Sequence, residues 1–292
     1  MPDLLDALRY SFMQRAVIAG SFIALSCAVL GVFLVLKRFS LIGDGLAHIS
    51  FATIALGLLL KVSPIYLSLP FVVGASLLIL KLVEKTVVYG DAAIGLLSAV
   101  GVATGVMIAS LSGGFNVDLF SYLFGNILAV SPAEVFMSIG LSAAVLGVIT
   151  VLYRQLVAVT FDEEYARVSG IRTTRVNRIL LMLSALTVVL GIKVVGTLLV
   201  SSLIIFPAIT ALQIARSFKT ALLFAGLCAV ASVWCGVALA YQLNVPAGAA
   251  IVQVNFLFFT AVYAGSRIAG ARSRARRIQA GRAGQSPGDN EE

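Results

Sequence analysis

Charged side chains are scarce in this sequence. Asp, Glu, Lys and Arg make up 12% of its 292 residues, against about 25% in an ordinary soluble domain. Hydrophobic residues make up 60%, and mean hydropathy is +1.04. So few polar groups cannot cover the chain in water, and the apolar excess calls for a bilayer as second solvent. Histidine is scarcer still, because His48 stands alone. That excludes a zinc protease of the HExxH type, which needs two imidazoles. No Walker A pattern occurs, so the chain is not an enzyme that hydrolyses ATP itself. An intramembrane aspartyl protease needs GxGD, and Leu41 to Asp44 reads LIGD. Cysteine is limited to Cys27, Cys228 and Cys235, each inside an apolar run and none in a CxxC pair. Buried inert thiols fit that placement, and a disulfide framework does not.

What charge there is leans basic, with 21 Lys and Arg against 13 Asp and Glu. The basic residues sit between and after the apolar runs. They suit loops facing an anionic membrane lipid surface, not nucleic acid. Crossing roughly 30 Å of hydrocarbon takes about 20 helical residues. Runs of that kind fall at 16–36, 41–60, 64–83, 91–111, 133–153, 177–193, 198–215, 220–241 and 246–264. The expected fold is therefore all-α, a polytopic integral membrane protein with eight or nine transmembrane helices filling residues 1–265. Residues 1–13 are amphipathic and suit the interface. Residues 116–128 are too short to span and suit a re-entrant or interfacial helix ahead of Pro132.

Sidedness follows from Lys and Arg. Arg154, Arg167, Arg172, Arg175 and Arg178 cluster in one loop, Arg216 and Lys219 mark a second, and Arg267 to Arg282 a third. Pairs of spans separate them, so all three share one side, the cytoplasmic one. In the first half the signal conflicts, because Lys37 and Arg38 compete with Arg9 and Arg15. Residues 266–292, rich in Arg, Gly and Ser, lack apolar periodicity and are expected to form a disordered basic cytoplasmic tail.

Three stretches carry chemistry. In the first, Asp44 and His48 share one helix face at i and i+4, with Cβ atoms about 5–6 Å apart. Charged groups inside a span cost about 2.5–3.5 kcal/mol on insertion scales, so they tend to face a cavity or a partner. A carboxylate beside an imidazole is half of a divalent metal site. The same pair also suits a helix cap and an interhelical hydrogen bond, and spacing alone leaves both open. The second stretch is the polar loop 160–178. Asp162 or Thr160 can cap a short helix, Glu163 and Glu164 fill its first turn, and Gly170 ends it. Tyr165 and Val168 lie three apart around Ala166, giving a small surface helix of the shape that docks on a motor subunit. In the third, Gly196, Thr197, Ser201 and Ser202 precede Pro207, as suits either a pathway lining or a packed core helix. Gly101 and Gly105 form a GxxxG, which permits close helix contact.

Five segments in order resemble the permease subunits of the zinc/manganese/iron ABC importer family: GDGLAHIS (43–50), NVDLFSYLFGNILAVSP (116–132), FDEEYARVSGI (161–171), VVGTLLVSSLIIFPAITA (194–211) and VPAGAAIV (245–252). Any one of them is a weak signal; together they span nearly the whole chain. The resemblance implies a permease of the type II ABC importer kind in the plasma (inner) membrane of a prokaryote. It further implies a homodimer, a cytoplasmic ABC ATPase dimer that binds the ATP, and an extracellular or periplasmic metal-binding protein that delivers the cargo. It places Asp44 and His48 as metal ligands in the channel, and Phe161 to Ile171 as the coupling segment. No permanently bound cofactor is expected. Zinc is the expected cargo, with manganese or iron as alternatives. Asn126 stands where zinc-type relatives often carry Asp. Two rivals are a permease for a metal chelate of the siderophore or cobalamin type and a self-contained secondary carrier. The first is disfavoured by bare-ion ligands, the second by the scarcity of intramembrane acids.

Overall fold

A computed structural model describes residues 10–85, 89–111, 125 and 130–283. Eleven helices follow one another among them. They are α1 (Ser11–Leu36), α2 (Ile42–Leu59), α3 (Pro64–Lys85), α4 (Gly90–Leu111), α5 (Pro132–Val151), α6 (Tyr153–Phe161), α7 (Glu163–Val168), α8 (Thr173–Val195), α9 (Thr197–Ile214), α10 (Phe218–Leu243) and α11 (Ala247–Ala283). Nine of these described helices are long and apolar enough to cross a membrane, one for each run read from the sequence. With no water inside the bilayer, a helix is the way each span satisfies its backbone within itself. Local chemistry sets the ends. Ser131 and Glu134 close a capping box on α5, with Pro132 at its first position. Ser217 and Thr220 do the same for α10.

α1 is the most enclosed span. It packs against α10, α9 and α5, while α2 packs against α4 and α3, and α8 bridges the two groups. The core is therefore helix on helix around α1, and α2 lies beside it. Close approach is bought with glycine, since the carbonyl of Ile204 occupies the place a Cβ on Gly31 would need.

The turn after α1 settles the conflict over sidedness. Lys37 reaches Glu163 in the segment between α5 and α8, and Phe33 and Phe161 both pack on Phe218 at the start of α10. Lys37 and Arg38 thus lie with the arginine-rich loop, on the face that the positive-inside rule makes cytoplasmic. Nine spans then put the start of α1 outside.

α11 is helical to Ala283. A polar sequence without apolar periodicity gives a helix nothing to pack on, but its Ala and Arg are strong helix formers. Pro207 does not break α9, which runs unbroken through it. A buried proline removes one backbone donor, and a surrounding helix bundle tolerates that. The amphipathic residues 1–9 and the segment 116–128 lie outside the described residues, save Gly125, and so does Asn126.

Candidate metal site and coupling surface

α2 begins at Ile42, two residues before Asp44. Asp44 lies in its first turn, where a carboxylate is favoured by the helix dipole at about 0.3–1 kcal/mol. His48 follows one turn later, with Nε2 3.4 Å from Asp44 Oδ2. The Asp44 side chain is 49% exposed and that of His48 35%. Both are therefore open along the outside of the single chain, within a span whose neighbouring positions Gly45, Leu46 and Ala47 are buried. Two donors on one face can hold a divalent ion only in part. Among the described residues no group of three or more His, Cys, Asp or Glu side chains is gathered. A complete coordination shell needs oxygen or nitrogen from elsewhere, such as water or a second copy.

The other faces of α2 are held tightly. Gly101 on α4 lies against the backbone at His48 and Ile49, and Gly105 against Phe51 and Ala52. Gly43 abuts Ile204 and Ser201 on α9. The GxxxG of α4 is thus ordinary close packing, but its partner is the stretch of backbone that carries the histidine.

The polar loop folds as its sequence indicates. Asp162 caps α7, accepting from the Tyr165 N–H at 2.8 Å. Gly170 adopts φ 84°, the left-handed conformation that favours glycine. The N–H of Gly170 donates to the Arg167 carbonyl and that of Ile171 to the Ala166 carbonyl, which closes a Schellman motif. Tyr165 is 69% exposed and Val168 89%, Glu164 is exposed, and Ala166 is fully buried. α7 therefore has an outer apolar face and an inner anchored one. α6, which joins α5 to α7, was not foreseen.

Glu163 points inward. Lys37 Nζ donates to Asn177 Oδ1 at 2.7 Å, to Glu163 Oε2 at 3.2 Å and to the Val159 carbonyl at 3.2 Å. Asn177 Nδ2 donates to Glu163 Oε1 at 2.9 Å. Burial pulls the Lys37 ammonium below its ordinary value, with Glu163 and then Glu84 opposing the shift. Asn177 was not singled out by sequence, and Lys37 only as a basic residue bearing on sidedness. The only sign of Lys37 was a basic residue ending an apolar run.

The third stretch is mostly buried. Gly196, at φ 85° and ψ 165°, is the single residue between α8 and α9. Thr197 and Pro207 are buried, and buried Ser202 Oγ accepts from Asn255 Nδ2 at 3.4 Å. Ser201 is the member that reaches the start of α2, beside Gly43, and its buried Oγ has no hydrogen-bond partner among the described residues. On the opposite end of the bundle, Lys193 pairs with Glu134 at 2.9 Å, tying α8 to α5.

Comparison with known proteins agrees with this architecture. Residues 9–265 match the ABC 3 transport family. The manganese import system permease protein ScaB of Streptococcus gordonii is 32% identical over 86% of this chain and 90% of its own. A protein of Haemophilus influenzae described as a probable iron transport system membrane protein is 33% identical over 91% of this chain and 97% of its own. Among solved structures, PsaBC from Streptococcus pneumoniae in complex with Fab superimposes with a TM-score of 0.79. It is 30% identical and covers 89% of this chain and 94% of the other. The match runs through the α2 face, the α7 loop and the last spans alike, and the chain belongs to the ABC 3 transport family as a multi-pass membrane permease.

Proposed function

We propose that this chain is the membrane permease of an ATP-driven importer that carries a bare divalent transition metal into the cytoplasm. It works as two copies, with a cytoplasmic ATPase dimer and an external metal-binding protein that delivers the cargo. The observation that carries this reading is the contact of Asp44 with His48 on an accessible face inside a membrane span. Two copies would bring two carboxylates and two imidazoles to one pathway. Manganese is the proposed cargo, ahead of zinc, which was expected from sequence. A carboxylate with an imidazole suits manganese, iron and zinc alike, and the relatives' names mention manganese and iron.

The test is uptake into proteoliposomes holding the assembled complex, with manganese, zinc and iron in competition. Manganese uptake should need ATP and should vanish in Asp44→Ala and in His48→Ala while the complex still assembles. Full uptake by both variants would remove the site. Preferential uptake of zinc would reverse the choice of cargo. A chelate permease would instead transport the chelated metal and ignore the free ion. A self-contained carrier would accumulate metal from this chain alone without ATP.

A further inference from the structure

We infer that Lys37 is a positioning residue that links the motor-docking helix α7 to the helix bearing Asp44 and His48. This rests on the importer reading above. Its grounds are the contacts of one side chain. Lysine is almost never fully buried unless paired, yet the Lys37 side chain is only 8% exposed. All three ammonium protons are spent, and each goes to a different element. The Val159 carbonyl is on α6, Glu163 is on α7 and Asn177 is on α8. The bond from Asn177 Nδ2 to Glu163 closes the ring. Glu163, like the buried Ala166, turns inward from α7, while Tyr165 and Val168 face out. A partner that grips the outer face of α7 therefore pulls on Lys37 through one residue.

What lies beyond Lys37 has little slack. The residue caps α1, and Arg38 follows at φ 60°. The Phe39 N–H donates back to the Leu34 carbonyl at 2.8 Å, and the Ile42 N–H donates to the Phe39 carbonyl at 3.1 Å. The turn is thus hydrogen-bonded both to the end of α1 and to the start of α2. Asp44 sits in the first turn of α2. Gly90 at the start of α4 is packed on Phe39 and on the Arg38 carbonyl, so α4, which seats His48, meets the same turn. Displacing α7 relative to α8 must either break the Lys37 ring or carry the α1–α2 turn with it. Carrying the turn moves the carboxylate and the imidazole relative to α9. Lys37 touches neither nucleotide nor metal on this account, and it acts through Glu163 and the turn.

A residue needed only for folding would change how much complex assembles, not how much metal each ATP moves. The discriminating quantity is therefore metal taken up per ATP hydrolysed, in proteoliposomes holding the whole complex with manganese as cargo. Lys37→Met is expected to keep ATP hydrolysis while uptake per ATP falls about tenfold, within the ordinary range of coupling between sites. Lys37→Arg keeps the charge and should recover part of the ratio. Adding Glu163→Gln to Lys37→Met should cause little further loss. An assembled Lys37→Met complex with the wild-type ratio overturns the inference. If Lys37→Met does not assemble, Glu163→Gln is read by the same ratio, and an unchanged value there overturns it equally. Failure of the importer reading looks different, because wild type itself would then show no ATP-dependent manganese, zinc or iron uptake.

Discussion

The side-chain-free backbone of Gly101 on α4 meets the backbone of His48 on α2. A Cβ at position 101 would lie 2.9 Å from both the carbonyl carbon and the carbonyl oxygen of His48. Neither atom can swing aside as the tip of a flexible side chain would. Any residue larger than glycine must push α2 away from α4, and the imidazole goes with it.

Gly101→Ala should therefore lower metal uptake far more than a surface change does. Overpacking of this kind costs about 1–3 kcal/mol, and misplacing a functional group by about 1 Å can cost about 100-fold in rate. We expect uptake to fall at least tenfold, an order-of-magnitude figure on the same basis, with a modest drop in melting temperature. Gly95→Ala on the same helix is the control. A Cβ there meets nothing within 4 Å among the described residues, so uptake should stay near wild type. Equal uptake by the two variants would mean that α2 need not be seated to transport.

Lys37 gives the pH dependence a sign. Burial, the largest influence, lowers its pKa, while Glu163 and Glu84 act the other way. The folded chain thus releases this proton below the ordinary lysine value of about 10.4. Between the folded and unfolded values the unfolded chain holds more protons, so stability rises with pH there. The penalty for the buried charge is complete below the folded value and fades as pH rises through it toward the unfolded one. Melting of wild type relative to Lys37→Met should accordingly improve as pH climbs toward that value. Uptake per ATP should do the reverse, because a neutral amine loses its ion pair with Glu163. Lys37→Arg, which stays charged, should not show the alkaline fall in uptake per ATP. A fall of the same size in Lys37→Arg would assign it to another group.

Gly170 offers a graded test of the docking role proposed for α7. Its φ of 84° is strained for most residues, but a Cβ would meet nothing within 4 Å among the described residues. The cost of substitution is therefore conformational, about 1–2 kcal/mol for a residue forced into the left-handed region. Asn tolerates that region and should be nearly neutral. Ala should be intermediate and the β-branched Val worst, in uptake per ATP and in protease resistance of the loop. An order set by side-chain size instead of left-handed propensity would point to a clash with the motor subunit.

The spans were legible because each needs a long apolar run, a property carried by consecutive residues. Asp162 and Gly170 were legible for the same reason, since a cap acts on amides only a few residues away. The GxxxG announced close packing without naming its partner. That Gly101 meets His48 depends on how α2 and α4 are brought together, which no local pattern states. Lys37 was the hardest to see. Its partners Val159, Glu163 and Asn177 lie far along the chain, and only the folded bundle gathers them. Glu163 was read from sequence as one acid of the first turn of a short helix, but its inward direction depends on that same gathering.

Single cysteines along α7 separate its two faces. The described cysteines Cys27, Cys228 and Cys235 are free, so a background with all three replaced comes first. Val168→Cys lies on the outer face, where the native side chain is 89% exposed. It should react quickly with a water-soluble maleimide from the cytoplasmic side and crosslink to a cysteine on the ATPase. Ala166→Cys occupies a fully buried position and should react slowly and crosslink poorly. Adding the ATPase should protect position 168 and leave position 166 unchanged. Nucleotide should shift the crosslinking yield at 168, because the docked helix has to move when the motor closes. Labelling of 168 only from outside intact cells would place α7 on the external face. That outcome would overturn the sidedness drawn from Arg154 to Arg178, and with it the assignment of Lys37 to the cytoplasmic end of α1.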